Sequence, residues 1–132
     1  MIKLKQAQNP NTSLETLQVL ATDKDWLIRR EVAGNPNTSP EILSVLATDE
    51  DKYVRYWVAE NPNTSSETLR IFATDEDWCV RCWAAQNQNT FTETLLVLAT
   101  DKNENVRYYV ARNPNATELI RRLVLMTDAQ KK

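Results

Sequence analysis

The stretch Asn35-Pro36-Asn37-Thr38-Ser39 recurs unchanged at Asn61-Pro62-Asn63-Thr64-Ser65, and related versions of it occur elsewhere in the chain. The first residues of the copies are Asn9, Asn35, Asn61, Asn87 and Asn113. The spacing between them is always 26 residues. A constant period of about 20 to 50 residues is typical of stacked structural repeats. The sequence therefore predicts a solenoid, in which each repeat packs against its neighbours.

The period divides the chain into four full units with a half unit at each end. The predicted units are 1–8, 9–34, 35–60, 61–86, 87–112 and 113–132, forming one domain. Each full unit carries two segments whose apolar residues have helical spacing, so we predict an all-α fold without strands. Isolated helices of fewer than about 12 residues are marginal in water, so stacking must stabilise them.

The first helix of each unit is predicted to begin at a threonine, because a glutamate follows three residues later and completes a capping box. The pairs are Thr12/Glu15, Thr38/Glu41, Thr64/Glu67 and Thr90/Glu93. In the last unit we predict a one-residue deletion near Ala116, with Asn115 and Glu118 restoring the spacing. The predicted buried face of the first unit consists of Leu17, Val19, Leu20 and Ala21, and the other units repeat it.

The second helix is predicted to begin after an aspartate, since a negative group is favourable at a helix N-terminus. Asparagine follows the helix and can adopt the left-handed conformation that ends many helices. The predicted buried pairs between them are Ile28/Val32, Val54/Val58, Val80/Ala84 and Val106/Val110. At the C-terminus, a predicted cap buries apolar residues and turns Arg121 and Arg122 to solvent, whereas an exposed apolar side would indicate a dimer contact. The apolar residues of that cap are Leu119, Ile120, Leu123, Val124 and Met126.

Composition favours a folded, non-catalytic domain, with 42% apolar and 26% charged residues. The chain has no histidine and a single glycine, Gly34, so the commonest general base and the glycine-rich phosphate loops are missing. We therefore expect no enzymatic activity, no cofactor and no metal site. No apolar run is long enough to span a membrane and the first residues lack a signal-peptide pattern, so we expect a cytoplasmic protein.

Three recurring patterns together resemble the leucine-rich repeat variant family. They are Asn-Pro-Asn-Thr-Ser-x-Glu, Leu-x-x-Leu-Ala-x-Asp and Asp-x-x-Val-Arg-x-x-Val-Ala. The last pattern is also similar to HEAT-type repeats. The resemblance implies a right-handed superhelix of alternating α and 3-10 helices, but it implies little about function. The chain departs from the pattern at Gln88 and Phe91, and it has nothing like the cysteine-rich iron–sulfur segment of some family members.

A column of arginines is predicted to link neighbouring units through ion pairs, since aspartates lie four residues earlier on the same helix. The predicted ladder consists of Arg29, Arg55, Arg81 and Arg107 with Asp25, Asp51 and Asp77. A binding role for this column is the alternative. The runs 49–51 and 75–77 could hold a cation, but helix capping explains their carboxylates as well. Cys79 and Cys82 supply half a zinc site at most, so we expect them to pack as ordinary thiols.

The second helices also carry a variable set of positions rich in aromatic residues, which we predict to be the binding surface. Its members are Arg30, Tyr53, Tyr56, Trp57, Cys82, Trp83, Tyr108, Tyr109 and Arg112. Exposed rows of aromatic side chains are typical of binding anchors, although packing between units would also explain them. We predict a protein or peptide partner. The alternative is nucleic acid, which the net charge of −2 disfavours.

Overall fold

The computed structural model describes residues 1–131, which form a row of short α-helices without a strand. Each full unit contributes a first and a second helix. The first helices are α2 (Leu14–Leu20), α4 (Pro40–Leu46), α6 (Ser66–Ile71) and α8 (Thr92–Leu98). The second helices are α3 (Trp26–Gly34), α5 (Lys52–Glu60), α7 (Trp78–Gln86) and α9 (Glu104–Arg112). Helices α1 (Ile2–Gln8) and α10 (Glu118–Gln130) stand at the two ends. The predicted all-α solenoid is confirmed.

Both helices of each unit are α-helical, so the described residues lack the alternation of α and 3-10 helices that the resemblance implied. One 3-10 turn, Phe72–Thr74, continues α6, as often happens where the last turn of a helix tightens. Within residues 1–131, no helix has the length and apolar character needed to cross a membrane. The handedness of the superhelix stays a prediction.

The second helices form the more closely packed side of the stack. Contacts run from α1 through α3, α5, α7 and α9 to α10, whereas the first helices contact mainly the second helices beside them. Between the two rows lies the core. Its central leucines, all fully buried, are Leu17, Leu43, Leu69 and Leu95. Burying one leucine side chain contributes about 1.5 to 3 kcal/mol, and only stacking brings these side chains together.

One column of the predicted first-helix core faces solvent instead. Val19, Val45, Ile71 and Val97 are 51 to 70% exposed. The reason is helical geometry: Leu17, Leu20 and Ala21 have the spacing of one helix face, and a residue two positions after Leu17 points away from it. The prediction that these four residues are buried was wrong.

The predicted capping threonines lie one residue before the true N-caps. Thr38 is fully buried, and its hydroxyl donates to the carbonyl of Val32 at 2.6 Å. The helix is capped by Ser39, whose hydroxyl accepts from the amide of Ile42 at 3.3 Å. Ser13 and Ser65 cap in the same way, whereas Phe91 offers no side-chain cap. The threonine therefore ties the first helix to the end of the preceding second helix. By contrast, the predicted caps Asp25, Asp51 and Asp77 are confirmed.

The asparagines after the second helices are not left-handed, since Asn35 has φ −71° and no residue described has positive φ. Asn35 instead donates to the carbonyls of Ala7 and Asn9 at 2.7 and 2.9 Å. Its side-chain oxygen accepts from the amide of Asn37 at 2.8 Å. Asn61, Asn87 and Asn113 reach back to the preceding unit in the same way. Asparagine is required here because its amide both donates and accepts.

The predicted deletion in the last unit is also wrong. Ala116 takes the buried position of the threonine, and Thr117 caps α10 by accepting from the amide of Ile120 at 3.2 Å. Asn115 does not cap, since its side chain donates to the preceding unit. Helix α10 buries Ile120 and Val124 but leaves three apolar side chains more than half exposed. These are Leu119, Leu125 and Met126. Arg121 and Arg122 face solvent as predicted.

Candidate functional site

The arginine column joins each unit to the next through a bidentate ion pair. In the central pair, Arg81 Nε and Nη2 donate to the two carboxylate oxygens of Asp101 at 2.8 and 3.2 Å. Its Nη1 donates to the carbonyl of Asp75 at 2.7 Å. The other pairs are Arg29–Asp49, Arg55–Asp75 and Arg107–Asp128, the last made through a single 2.6 Å bond. Because these guanidinium groups donate to carboxylates and carbonyls of the stack, their contacts are those expected of a structural ladder, and a stabilising role stays a prediction.

The carboxylate partners differ from the predicted Asp25, Asp51 and Asp77. Those residues occupy the N-termini of the second helices, where Asp51 accepts from the amide of Tyr53 at 2.8 Å. Each arginine instead extends across the unit boundary, to an aspartate 20 residues ahead in the three bidentate pairs. The hydrogen bond that each guanidinium donates to its aspartate raises the pKa of Arg29 and of Arg55 above the ordinary value. At the N-terminal end, the amide of Asp25 and the ammonium of Lys3 lower the pKa of Asp23.

The acidic runs and the two cysteines do not form a metal site in this structure. Among residues 1–131, no group of three or more acidic or cysteine side chains is arranged to hold an ion. Burial, together with the neighbouring Cys79, raises the pKa of the Cys82 thiol to about 12. Burial also raises the pKa of Cys79. Both thiols therefore stay protonated at neutral pH, and a protonated thiol is a poor nucleophile and metal ligand.

The side of the second helices that faces away from the core carries the aromatic face, which we define by eight residues. They are Trp26, Tyr53, Tyr56, Trp57, Trp78, Trp83, Tyr108 and Tyr109. In α5 Tyr53 and Trp57 are exposed and Tyr56 is half-buried; the three have the spacing of one helix face, while Val54 and Val58 turn to the core. The five most exposed rings are Tyr53 and Tyr108 at 51%, Trp78 at 44%, and Trp26 and Trp57 at 37%.

The rings form three groups, two of which cross a unit boundary. Tyr56 contacts Trp57 edge-on, with centroids 5.7 Å apart, and it contacts Trp83 of the next unit edge-on at 5.6 Å. Trp26 and Tyr53 form the second group that crosses a boundary, with ring planes tilted by 31° and centroids 5.8 Å apart. Tyr108 and Tyr109 lie together at 5.2 Å. Edge-to-face contacts at these distances hold the rings in defined orientations.

Four residues of the predicted surface are less exposed than expected, and two others were missed. Cys82 is only 5% exposed, because α7 turns that side chain into the core. Tyr56, Trp83 and Tyr109 are half-buried and pack against the core. Sequence reasoning missed Trp26 and Trp78, which occupy the first position of α3 and α7. The signal was available, since a tryptophan at an otherwise charged position is unusual.

The basic residues near the aromatic face already have partners. Arg30 pairs with Glu31 at 2.7 Å and lies over the ring of Trp26. Arg112 lies over the ring of Tyr108, 4.6 Å from its centroid. Such cation–π contacts hold the charge at the surface and broaden the flat area that the rings present.

A cavity of about 270 Å³ opens beside Trp57, where the first two full units meet. The cavity is open because Gly34 has no side chain to fill it. The equivalent positions of the other units hold the larger residues Gln8, Glu60, Gln86 and Arg112. The indole lies over the backbone of Gly34, 3.4 Å from where a Cβ would stand. A larger, open depression of about 710 Å³ lies on the other edge, around Phe91 and Gln88, where the chain departs from the repeat pattern.

Residues 3–56 match the Leucine Rich Repeat Variant domain family. The predicted resemblance to this family is confirmed over these residues. This leucine-rich repeat variant match spans α1 to the middle of α5, and the same 26-residue period continues beyond it to Asn113. No match is found among curated proteins or among solved structures.

Proposed function

We propose that this chain is a non-catalytic repeat scaffold that binds a protein or peptide through the aromatic face. One observation carries the proposal: five aromatic rings are between 37 and 51% exposed on neighbouring helices of one side. Large aromatic side chains supply much of the binding energy at protein interfaces, because they bury large areas and lose little rotamer freedom. Rings kept at the surface by repeating structure are suited to that task.

The position of the face in the stack supports the same function. It lies on the side where successive helices pack most closely, as expected for the concave side of a curved solenoid. Concave surfaces of helical-repeat proteins are extended and suit elongated partners. The four second helices, about 8 to 10 Å apart, would give a surface about 30 Å long.

The side chains available favour binding over catalysis. The chain has no histidine, its two thiols stay protonated, and its buried arginines are held by aspartates. We propose a cytoplasmic setting, in which unpaired cysteines of this kind are ordinary. Nucleic acid is the weaker candidate, because Arg30 is paired with Glu31 and the chain is acidic overall. A steep loss of affinity with added salt would favour that candidate over a peptide.

The test is affinity capture from native cells with the wild type and with Trp57→Ala. Trp57 lies outside the core, so the variant should fold, and we expect at least about 2 kcal/mol of binding to be lost. Phe91→Ala is the matched control, since Phe91 is an exposed aromatic residue away from the aromatic face. Trp83→Ala is a poorer choice because Trp83 packs against the core.

Two results would refute the proposal. The first is retention of the same captured proteins by Trp57→Ala and by the wild type. The second is failure of acrylamide, a small neutral quencher, to reach the tryptophans in the folded protein. Circular dichroism of each variant separates lost binding from lost folding.

A further inference from the structure

The aromatic face also indicates what shape of chain it binds. Building on the proposed binding function, we propose that the partner is a proline-rich segment carrying basic residues, bound in the polyproline II conformation across successive units. The argument rests on three properties of the face: the spacing of its units, the chemistry of its rings and the charge along its edge.

The spacing between units matches the polyproline II repeat. Equivalent positions on packed helices are separated by about 8 to 10 Å. A polyproline II chain rises about 3.1 Å per residue with three residues per turn, so one side of it recurs every 9 Å or so. A β-strand presents the same side about every 6.6 Å and would fall out of register by the next unit. Trp57, Trp83 and Tyr109 occupy equivalent positions in three successive units, so every third residue of a polyproline II segment can meet one of these rings.

The chemistry of the rings suits proline. Proline-rich segments dock into aromatic-lined grooves, and they lose little entropy because their conformation is already formed. Their backbone makes no internal hydrogen bonds, so its carbonyls can accept from indole N–H and phenol groups. The group Tyr56, Trp57 and Trp83 supplies both rings and donors across one unit boundary. The cavity beside Trp57 and Gly34 has room for one side chain of the segment.

The charge complement comes from the loops between first and second helices. In the two central units these loops carry Glu50 and Glu76, both exposed to solvent, the second at 90%. The equivalent residues of the outer units are Lys24 and Lys102. These two glutamates and the largest ring group thus belong to the same two units, 35–60 and 61–86. Glu76 lies 3.8 Å from Arg55, and Lys52 of the same edge lies over the ring of Tyr53. A segment with arginine or lysine beside its prolines could contact the rings with its prolines and pair with the glutamates through its basic residues.

The test uses three synthetic peptides and tryptophan fluorescence. The probe has nine prolines followed by two arginines. One comparison peptide replaces the prolines with alternating glycine and serine, and the other replaces the arginines with glutamates. We expect the probe to bind at least about tenfold more tightly than either, since a tenfold change in the binding constant is within the range of one anchor residue.

Two variants locate the binding site. Trp57→Ala should weaken the probe about tenfold or more, and Gly34→Gln should do the same by filling the cavity. Glutamine is present at the equivalent positions Gln8 and Gln86, so the second variant is expected to fold. Phe91→Ala should bind as the wild type does.

The outcomes distinguish this inference from the proposed function. Equal binding of the glycine–serine peptide, no binding of the probe, or binding unaffected by Trp57→Ala would each overturn the proline-rich partner. If the proteins captured from cells still depend on Trp57 in that case, the proposed function stands with a partner of another shape. If capture is also independent of Trp57, both ideas fail.

Discussion

Arg81 and Asp101 form the least exposed of the ion pairs between units, with side chains 7% and 8% exposed. In Arg81→Ala, the carboxylate of Asp101 keeps only the amide of Asn103, which donates to it at 2.9 Å. The carbonyl of Asp75 loses its bond from Arg81 as well. Removing one partner of a buried pair typically destabilises a protein by about 3 to 5 kcal/mol, because the remaining charge is left uncompensated.

The chain offers a matched control in Arg122. Its guanidinium lies 2.8 Å from Glu118, the same distance as in the buried pair, but the two side chains are 70% and 77% exposed. Exposed pairs of this kind are worth about 0.3 to 0.5 kcal/mol, because water screens them. The comparison of Arg81→Ala with Arg122→Ala therefore holds the N–O distance constant and contrasts a buried bidentate pair between units with an exposed pair within one helix.

The measurement is urea unfolding, which avoids the ionic screening that guanidinium salts introduce. Circular dichroism and tryptophan fluorescence should be followed together, since coincident transitions show that unfolding is cooperative. Losses of stability within about 0.5 kcal/mol of each other for the two variants would refute the reasoning. The arginine column would then be surface charge that happens to be ordered.

Two further changes test the polar contacts and the buried thiol. Asn61→Asp keeps the shape of the side chain but removes the amide that donates to the carbonyls of Ala33 and Asn35. We therefore expect the free energy of unfolding in urea to fall by about 2 kcal/mol or more. A smaller loss would show that those carbonyls do not need the bond. The pKa of Cys82 is raised to about 12 from an ordinary value of 9.0, so the folded state holds this proton more tightly than the unfolded state. Its contribution to stability is complete below about pH 9 and declines as the pH rises toward 12. The wild type should therefore lose stability relative to Cys82→Ala across about pH 8 to 10.5, and a constant difference would contradict the shift.

The sequence was sufficient for the helical units because their apolar spacing and the Asn-Pro-Asn stretch are local signals. It was insufficient wherever a side chain acts across a unit boundary. Arg29 could be paired by spacing with Asp25, but the true partner, Asp49, is reached only once the stacking distance is known. The Thr38/Glu41 spacing matched a capping box, but the threonine hydroxyl donates to the carbonyl of Val32 instead. Ser39 therefore caps the helix.

The candidate surface was predicted in outline for the same physical reason. Positions that vary among repeats tend to face solvent, which correctly directed attention to Tyr53 and Trp57. The rule failed at Cys82, which is buried although its equivalents Tyr56 and Tyr108 are not. The short side chain of Cys82 is covered by its neighbours, whereas at the same helix position the larger ring of Tyr56 is half-buried and that of Tyr108 is 51% exposed.

Each junction in this stack is fastened along two opposite edges. Asparagines reach backward to the previous unit on one edge, and arginines reach forward to the next unit on the other. With the apolar core between the edges, neither sliding nor twisting at a junction can occur without breaking directed bonds. The solenoid should therefore be rigid, and the distances between its aromatic rings should change little under mechanical load or on contact with another chain.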